Sequence, residues 1–531
     1  MREPVQLSVV VITKNEHDRL AECLESVRWA GEIVIVDDES TDETVAVARR
    51  YTSRILTRRM EIEGIHRNFA YAQARYEWVF SLDADERVTP ELAEEIRQLL
   101  TGTPPFDIYA VPRRNYIGKR WIRQGGWYPS PQVKLFKRSV FRWEETTVHP
   151  RAISDRPWGA LKSDLIHYSY RDISDFIGKL NRQTTLEAQK WVLDGRRMGL
   201  GTALWRSLDR FFRTYWSKKS RQEGYLGFLI AAFAGFYQYL SFVKYWHRKG
   251  AAGNQPPAHQ DPAETSTPSG IGTHTGLSVV ILTKNAAPTI QRCLDSVRGL
   301  GEIIVVDGGS TDGTLEACRA AGAIVAQENL SDNFGELRNI GARRASGEWV
   351  LQLDADEVVT PEFRTILGQL SKNSQGCAAY KFHRSNFFLG QPMRFGGWDH
   401  DSLHLFKRGK ARYEGRVHEK LLVDGPIGTL RVGVEHYPFR SIEEFINRQN
   451  RYTSLEARQM KETKSPAPMK TIWWQSTAKP LKLFWKIMVK KSGFRNGIIG
   501  FHFAILYAFV HLMKWAKVWE LQNLEEKTAL H

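Results

Sequence analysis

The sequence contains two copies of one pattern, shifted by about 270 residues, and this repeat restricts the fold more than any other feature. The matching segments occur in the same order in both copies, which excludes chance similarity. They are LSVVVITKN at 7–15 and LSVVILTKN at 277–285, LDADE at 82–86 and 353–357, GGW at 125–127 and 396–398, and LEA at 186–188 and 455–457. The chain is therefore expected to fold as two versions of one architecture, called the first half and the second half.

The segment between the halves has the composition of a linker. Residues 250–276 are rich in Pro, Ala, Gly, Ser and Thr and contain few large apolar residues, as flexible linkers do. A chain of 531 residues also exceeds the size of one ordinary core. We predict five regions, which are a first domain (1–200), a helical region (201–249), the linker (250–276), a second domain (277–465) and a second helical region (466–531).

Each half alternates apolar runs, which predict strands, with amphipathic segments, which predict helices. In the first half the apolar runs are 7–12, 32–36 and 78–82. This order predicts a Rossmann-like α/β fold with a mostly parallel sheet, whose ligands bind beyond the carboxyl ends of the strands. Asp37 and Asp83 stand at two of these ends, as do Asp307 and Asp354 in the second half. We also expect Ser40-Thr41-Asp42 to cap the next helix.

Two carboxylates one residue apart follow the third strand of each half, as Asp83-Ala-Asp85 and Asp354-Ala-Asp356. Such a pair can hold a hard divalent cation, Mg²⁺ or Mn²⁺, against a diphosphate. The cation would neutralise a nucleoside diphosphate as it leaves. An isolated Asp-x-Asp is more often a turn or a solvated loop, but this one recurs at the same place in both halves. The metal interpretation is therefore favoured.

Together these motifs resemble family-2 glycosyltransferases of the GT-A fold, and within them the bacterial group that adds glucose-like sugars to the lipopolysaccharide core. The resemblance extends over nearly the whole chain except the linker. It rests on VVITKNE at 10–16, VDDESTD at 36–42, the repeated LDADE and GGW, LFKR at 135–138 and 405–408, and VHE at 417–419. It implies an inverting, metal-dependent transfer of a hexose from a nucleotide sugar, UDP-linked by preference, to a lipopolysaccharide-core or other lipid-linked glycan acceptor.

The resemblance also implies site residues in this chain. Asp85 and Asp356 would be the principal ligands of Mg²⁺ or Mn²⁺. The donor would contact Thr13, Asn15, Asp37, Asp38 and Asp83 in the first half, and Thr283, Asn285, Asp307 and Asp354 in the second.

An inverting transfer needs a general base that takes a proton from the acceptor hydroxyl. In the resembled group an Asp follows Gly-Gly-Trp by a few residues, which gives Asp401 in the second half, with Asp399 as a less favoured register. The first half has Ser130 at the corresponding place, and serine without an activating partner is a poor base. The second half also has Glu419 where the first has Pro150. We predict Asp401 and Glu419 to be catalytic.

The two halves are therefore expected to differ in activity, with the second half as the catalyst. The first half either binds a donor without turnover or uses another base, such as Glu144 or Glu145. One difference points the other way, because Gly308 in the second half replaces Asp38. Asp307 remains there, and the loop that follows it suits a tight turn.

Three further repeated motifs leave two interpretations open. The histidines could approach the diphosphate, or their hydrogen bonds could be satisfied within the protein near the sheet edge. The Arg-Asn pairs could contact the donor, or they could only pack and cap a helix. The tryptophans could stack on a sugar or anchor the core. The residues are His167-Tyr168 and His436-Tyr437, Arg67-Asn68 and Arg338-Asn339, and Trp127 and Trp398.

Each half ends in an aromatic and basic segment, at 211–219 and 483–486, followed by an apolar stretch, at 225–243 and 498–513. Polar residues interrupt both stretches (Gln238, His502 and His511), which favours helices lying in the membrane interface. Spanning or re-entrant helices and ordinary core helices are the alternatives. The net charge of +16 and the 17 Trp suit an anionic membrane surface and a phosphorylated glycolipid acceptor.

The expected location is the cytoplasmic face of the bacterial inner membrane, with peripheral or monotopic attachment. The four cysteines form no Cys-x-x-Cys pair, and the first residues do not have the pattern of a signal peptide, as expected in a reducing compartment.

The sequence disfavours the alternative functions. The complete acidic set of the second half argues against a binding scaffold without catalysis. A nucleotidyltransferase would usually have a Gly-rich basic phosphate loop, and nucleic-acid binding is disfavoured because the basic residues cluster around apolar helices.

Overall fold

The computed structural model of this protein describes residues 5–146, 151–253, 276–328, 333–370, 376–415, 419–463 and 465–523. The chain forms two compact units. The first consists of Met1–Lys249, Asn450–Trp473 and Lys514–His531, and the second of Gly250–Gln449 and Trp474–Met513. Most of the predicted linker lies outside the described residues.

The first half contains thirteen strands and seven helices among its described residues. The strands are β1 (Val5–Thr13), β2 (Ala30–Asp37), β3 (Ile55–Thr57), β4 (Trp78–Asp83), β5 (Glu86–Val88), β6 (Ile108–Val111), β7 (Arg113–Ile117), β8 (Arg120–Trp121), β9 (Gln132–Lys137), β10 (Arg142–Trp143), β11 (Ala152–Ile153), β12 (Gly159–Ala160) and β13 (Leu165–Tyr170). The α-helices are α1 (His17–Glu25), α2 (Thr44–Ala48), α3 (Glu63–Ala72), α4 (Pro90–Thr101), α5 (Ile173–Leu193), α6 (Leu200–Phe212) and α7 (Gly224–Gly253).

The second half has eleven strands and eight α-helices in its described part. The strands are β14 (Leu277–Thr283), β15 (Glu302–Asp307), β16 (Ile324–Gln327), β17 (Trp349–Asp354), β18 (Glu357–Val359), β19 (Ala379–Phe388), β20 (Gln391–Pro392), β21 (His400–Lys407), β22 (Ala411–Glu414), β23 (Lys420–Val423) and β24 (Ile427–Phe439). The helices are α8 (Ala287–Val297), α9 (Thr314–Ala320), α10 (Phe334–Arg344), α11 (Pro361–Gln369), α12 (Ile442–Thr463), α13 (Met469–Ser476), α14 (Ala478–Trp485) and α15 (Gly497–Asn523).

The main sheet of the first half has the strand order β12-β6-β9-β4-β1-β2-β3. Strands β4, β1, β2 and β3 are parallel, whereas β9 is antiparallel to both of its neighbours. Alternate residues of β1 pack on opposite faces, Val9 in a cluster with α1 and α4 and Val10 in a cluster with α3. The prediction of an α/β fold with a mostly parallel sheet is therefore confirmed.

The second half repeats this arrangement in a sheet with the order β16-β15-β14-β17-β21-β19-β24-β18. Strands β14, β15, β16 and β17 are parallel, as in the first half. The register pairs Thr283 with Asp307 and Leu282 with Asp354, so the polar residues that follow three neighbouring strands meet at one edge. The first half has the same register, with Thr13 opposite Asp37 and Ile12 opposite Asp83.

A helical hairpin follows each α/β region and begins with the same irregular turn. Helix α6 continues into a π-helical turn (Arg213–Ser217) and a 3₁₀ turn (Ser220–Glu223) before α7, and α14 continues into Lys486–Lys490 and Gly493–Asn496 before α15. The Gly-Gly-Trp motif of each half contacts this turn, because Gly125 N–H donates to Lys218 C=O and Gly396 N–H donates to Lys491 C=O, each over 2.8 Å. A Cβ on Gly126 would lie 3.0 Å from Lys218 Nζ. Lysine is flexible enough to relieve that contact, but Gly126 also has a left-handed backbone (φ 80°), which explains the second glycine of the motif.

Candidate active site

The ends of β1 and β2 are joined by side-chain hydrogen bonds that shape a cradle. Asn15 has a left-handed backbone (φ 52°), which Asn tolerates better than most residues. Its Oδ1 accepts from Thr41 N–H over 2.8 Å, and its own N–H donates to Ser40 Oγ over 2.9 Å. Asp37 accepts from Ser40 N–H over 2.9 Å. The structure therefore brings the predicted donor residues Asn15 and Asp37 together.

The second half builds the same cradle from Asn285 and Asp307. Asn285 Oδ1 accepts from Thr311 N–H over 2.7 Å, and Asp307 accepts from Ser310 N–H over 2.9 Å. Thr13 and Thr283 lie at the ends of their strands, and the hydroxyl of each is buried without a hydrogen-bond partner among the described residues. Each hydroxyl therefore has hydrogen-bonding capacity that these residues leave unused.

The expected helix cap over Ser40-Thr41-Asp42 is wrong for the first two residues. Helix α2 begins later, at Thr44, after Glu43. Only Asp42 reaches its first turn, where Oδ1 accepts from Thr44 N–H over 3.0 Å. Ser40 and Thr41 belong to the cradle instead, because Ser40 N–H donates to Asp37 and Thr41 N–H donates to Asn15.

Asp38 distinguishes the two cradles. Its Oδ1 accepts from Met60 N–H over 2.8 Å, and its Oδ2 lies 3.0 Å from Lys14 Nζ. Burial alone would raise the pKa of Asp38, but these two contacts lower it. Gly308 takes this place in the second half, so that cradle lacks the corresponding carboxylate.

Asp83 and Asp354 are each held by an arginine from the preceding helix. Arg67 Nη2 lies 3.2 Å from Asp83 Oδ1, and Arg338 Nη2 lies 2.7 Å from Asp354 Oδ1. Although burial alone would raise the pKa of Asp354, Arg338 and Arg384 hold it well below its usual range. The two arginines thus hold the acidic motifs in place. Asn68, next to Arg67, donates to the Trp143 carbonyl and accepts from Trp143 N–H, which is a packing role.

Asp85 and Asp356 each face a histidine from the neighbouring strand. His436 Nε2 lies 3.4 Å from Asp356 Oδ1, and His167 Nε2 lies 3.7 Å from Asp85 Oδ2. Burial alone would raise the pKa of Asp356, but His436 and then Arg448 lower it to about 2. The Asp356 carboxylate is therefore ionised at neutral pH.

An asparagine fixes the orientation of each histidine. Asn386 Nδ2 donates to the Trp398 carbonyl over 2.7 Å, so its Oδ1 faces His436 Nδ1, also at 2.7 Å. Because this oxygen only accepts, His436 Nδ1 carries a hydrogen. Nε2 faces Asp356, to which it donates when the ring carries a second hydrogen and presents a lone pair when it does not. Asn115 makes the same two contacts in the first half, with the Trp127 carbonyl and with His167.

An imidazole lone pair and a carboxylate oxygen that face each other at this distance are both acceptors. A cation or a proton between them removes the repulsion, and one His and one Asp are usual ligands of Mn²⁺ and related ions. Among the described residues no group of three or more His, Cys, Asp or Glu side chains converges as a metal site. A cation held by Asp356 and His436 would therefore take its remaining ligands from the diphosphate and water.

The Gly-Gly-Trp loop of the second half leads to Asp399 and Asp401, which have different surroundings. Asp399 Oδ1 accepts from Asn386 N–H over 2.9 Å, so this carboxylate is already engaged. Asp401 is half exposed, and its closest ion-pair partner among the described residues is His383 Nδ1 at 3.6 Å. Of the two carboxylates, Asp401 is the freer to accept a proton.

In the first half an arginine contacts Ser130, which follows Trp127 by three residues as Asp401 follows Trp398. Arg113 donates to Ser130 through Nε to the carbonyl over 3.3 Å and through Nη2 to Oγ over 3.4 Å. A neighbouring guanidinium makes a hydroxyl a poorer proton acceptor. Ser130 is therefore unsuited to act as a base in this setting.

Glu419 lies at one end of a short ionic chain. Its Oε1 is 2.8 Å from Arg338 Nε, and the other side of Arg338 contacts Asp354. The structure thus links Glu419 to the acidic motif through one arginine. Val417, His418, His149 and Pro150 lie outside the described residues. Of the alternative bases, Glu144 accepts from Arg151 N–H in the β10–β11 hairpin.

Trp127 and Trp398 use their rings for packing and their carbonyls in the site. The Trp398 ring stacks on Phe503, with centroids 4.8 Å apart, and lies near Phe439. The Trp127 ring contacts Tyr170 in a tilted arrangement and Phe176 edge to face. The core-anchoring interpretation is favoured over stacking on a sugar.

Four site residues were not identified from the sequence. They are Asn115 and Asn386, which orient the histidines, and Lys134 and His404, which lie beside the acidic motifs. The asparagines had a detectable signal, because Arg-x-Asn occurs at 113–115 and again at 384–386. Lys134 and His404 differ between the halves, so the repeat could not reveal them.

The comparisons with known proteins identify the family of this chain. The chain matches the description "Glycosyl transferase family 2" over residues 8–156 and 278–420, and it belongs to that family. It is therefore a glycosyltransferase, and its two halves have the GT-A fold of tandem family-2 domains.

Two relatives and one solved structure show the range of similarity. The lipopolysaccharide core biosynthesis glycosyltransferase LpsC of Rhizobium meliloti is 28% identical over 249 residues, covering 46% of this chain and 92% of that protein. An uncharacterized glycosyltransferase of Rickettsia bellii is 26% identical over 268 residues, covering 46% and 86%. The mannosyltransferase PcManGT of Pyrobaculum calidifontis, solved with GDP-Man and Mn²⁺, is 19% identical with a TM-score of 0.27, covering 49% and 92%.

Proposed function

We propose that the protein transfers a hexose with inversion from a nucleotide sugar, UDP-linked by preference, to a lipopolysaccharide-core or other lipid-linked glycan acceptor. The second half is the catalyst. The observation that carries this assignment is the complete set in that half, where the nucleoside cradle, the Asp356–His436 pair and the half-exposed carboxylate of Asp401 occur together. The lipopolysaccharide acceptor is supported by the name of the Rhizobium relative.

Each residue has a distinct task in this proposal. Asn285 and Asp307 shape the cradle for the nucleoside, and Thr283 offers its unpaired hydroxyl. Asp401 takes the proton of the acceptor hydroxyl as that oxygen attacks the anomeric carbon. Glu419 acts through Arg338, which it holds against Asp354.

Asp356 and His436 would hold Mg²⁺ or Mn²⁺, and Asp85 and His167 stand at the corresponding positions of the first half. When bound, the cation supplies positive charge to the leaving nucleoside diphosphate. The chain's own part is to keep Asp356 ionised and to present the His436 Nε2 lone pair. Asn386 orients the ring through Nδ1, and Arg448 lies 3.1 Å from the Asp356 carboxylate.

The test is transfer by purified full-length protein, with UDP- and GDP-sugars as donors, truncated lipopolysaccharide as acceptor and Mn²⁺ or Mg²⁺ in the buffer. We expect a cation-dependent glycolipid product of inverted anomeric configuration from one donor. A retained anomeric configuration, or no product and no donor hydrolysis with any donor, would contradict the proposal.

Replacing Asn386 by Ala should weaken Mn²⁺ binding in the presence of the nucleoside diphosphate by about 10- to 100-fold, the usual effect of removing the group that orients a ligating histidine. The reason is that His436 loses the acceptor that fixes its tautomer. Calorimetric titration of Mn²⁺ measures the effect. Asn115→Ala in the first half is the matched control, and equal weakening in both variants would contradict a site confined to the second half.

We further propose that the protein attaches to the anionic cytoplasmic face of the bacterial inner membrane, as a peripheral or monotopic protein, through the helical regions 201–249 and 466–531. Two helices have the length and apolarity of a membrane span, Ser220–Gly250 and Gly493–Asn523, but 67% and 50% of their apolar windows are buried within the protein. Most of the exposed large apolar side chains of these regions lie instead on the preceding helices and turns, although Ile498 and Tyr507 of α15 are also exposed. This distribution supports interfacial attachment.

These exposed side chains repeat along one helix face and alternate with cations. Leu481, Trp485 and Val489 are 72%, 57% and 44% exposed, and each is followed by a lysine (Lys482, Lys486 and Lys490). In the first half Trp205, Leu208, Phe212 and Trp216 are exposed at similar spacing. An apolar face with a basic border suits the headgroup region of an anionic bilayer.

The double variant Leu481→Glu, Trp485→Glu should lower partitioning to vesicles containing phosphatidylglycerol by on the order of 10²-fold, because each side chain contributes about 1.5–3 kcal/mol when fully buried. Vesicle co-sedimentation measures this. Leu422→Glu, which changes an exposed apolar residue outside the helices, is the control. Binding that the double variant leaves unchanged would contradict attachment through α14.

A further inference from the structure

One buried position beside the acidic motif differs in charge between the halves. Lys134 in β9 and His404 in β21 are equivalent, because each precedes the leucine that pairs with the central strand in matching register. The two side chains make different contacts.

In the first half Lys134 bridges two carboxylates. Its Nζ lies 2.9 Å from Asp83 Oδ2 and 2.6 Å from Glu86 Oε2, and the side chain is only 3% exposed. Arg67 also contacts Asp83, and Arg113 lies 3.8 Å from Glu86. Three cations therefore face two carboxylates, and Lys134 is enclosed so that it cannot turn away.

In the second half His404 makes no ion pair with the motif among the described residues. Its Nδ1 lies 2.6 Å from the hydroxyl of Tyr413. Asp354 and Glu357 contact two guanidinium groups, those of Arg338 and Arg384. Two cations face two carboxylates, one positive charge fewer than in the first half.

The cations beside the predicted metal ligands, Asp85 and Asp356, do not offset this difference in charge. Asp85 has Arg19 at 4.0 Å, and Asp356 has Arg448 at 3.1 Å, so each carries one neighbouring arginine. The Arg448 side chain is one-third exposed and also lies 3.6 Å from Glu444. The three carboxylates of each motif thus face four cations in the first half and three in the second.

We propose that only the second half takes up a divalent cation together with its nucleotide, and that Lys134 gives the first half a permanent positive charge in place of that cation. The first half keeps the Asn15–Asp37 cradle, so it is a cation-independent site for a nucleoside diphosphate. Arg67 is also paired with Glu63 and Arg338 with Glu419, so these two carboxylates offset each other between the halves. A dication beside a motif that holds one more cation than its counterpart is opposed by Coulomb repulsion. This inference rests on the cation site of the proposed function.

The first experiment needs no variant. Full-length protein is titrated with Mn²⁺ at saturating UDP, with free Mn²⁺ followed by electron paramagnetic resonance, and the titration is repeated with GDP, ADP and dTDP. We expect one tight Mn²⁺ per chain with the cognate nucleotide. Calorimetry with that nucleotide should give one site per chain in EDTA and two with Mn²⁺.

Paired variants assign the Mn²⁺ site to one half. Asp356→Asn should weaken Mn²⁺ binding at least tenfold, and Asp85→Asn should change it less than twofold. The exchange of the differing residues should act in opposite directions, with His404→Lys weakening the site at least tenfold and Lys134→His creating a second one. Circular dichroism and thermal melting verify that each variant is folded.

Several outcomes would overturn the inference. These are two Mn²⁺ sites of equal affinity in the wild-type protein, one site that Asp85→Asn removes, or no nucleotide binding in EDTA. Absence of Mn²⁺ uptake with all four nucleotides would contradict the cation of the proposed function and this inference together. Two equal Mn²⁺ sites would contradict this inference alone, which distinguishes the two failures.

Discussion

Replacing Asp401 by Asn lowers the kcat for sugar transfer by about 10²- to 10⁴-fold, the usual contribution of a positioned general base. Asparagine keeps the size and the exposed position of this side chain but cannot take the acceptor proton. Binding of the donor should change little, because the cradle residues Asn285 and Asp307 are untouched. The measurement is single-turnover transfer at saturating donor and Mn²⁺.

Two control variants separate this role from its alternatives. Asp399→Asn keeps an oxygen that can accept from Asn386 N–H and should lower kcat by only a few-fold. Ser130→Ala tests the corresponding place in the first half and should have no larger effect. If Asp399→Asn abolishes transfer while Asp401→Asn does not, the base is Asp399 and the favoured register is wrong.

The strands and the acidic positions of this site were predictable from the sequence. The apolar runs that end at Asp37 and Asp83 show where two strands lie along the chain. In a parallel sheet the carboxyl ends of such strands meet at one edge. The repeat adds a second, independent instance of each motif. The predicted fold class is therefore confirmed, whereas the roles of the individual site residues stay predictions.

The orientation of the histidines was not predictable in this way. It depends on β7 and β13 pairing side by side, which brings Asn115 to His167, and on the carbonyl of Trp127, whose ring suggested a sugar contact. The contact between Asn115 and His167 joins segments 52 residues apart, and no local pattern encodes it. The charge of Lys134 was likewise visible, but its two carboxylate partners depend on the register of β9.

The membrane prediction shows a similar limit. Apolar composition pointed to the long helices α7 and α15, but composition cannot show which side chains a fold covers. The structure buries much of these helices and leaves Trp485 and Trp205 exposed on the shorter α14 and α6. The amphipathic pattern of the shorter helices would have been the better indicator.

The two halves share a cradle but differ at three places that bear on catalysis. The first half has Ser130 under Arg113 where the second has Asp401, Lys134 where the second has His404, and Pro150 where the second has Glu419. Burial lowers the pKa of His404 to about 3, so this ring is neutral at physiological pH, whereas Asp83 and Glu86 raise the pKa of Lys134 against the effect of its burial. All three differences favour turnover in the second half.

Asp356→Asn should therefore lower transfer by about 10³-fold, because several kcal/mol of charge stabilisation on the leaving diphosphate is lost with the cation. Asp85→Asn, the matched change in the first half, should lower it by less than tenfold. Both variants keep a side chain of the same size beside His436 or His167, so any effect on packing should be the same in both.

The assay is transfer at saturating Mn²⁺ with separation of the glycolipid products. A single product lost only with Asp356→Asn assigns catalysis to the second half, whereas two products, each lost with one variant, would show that both halves are catalysts and contradict the asymmetry derived from Ser130 and Lys134.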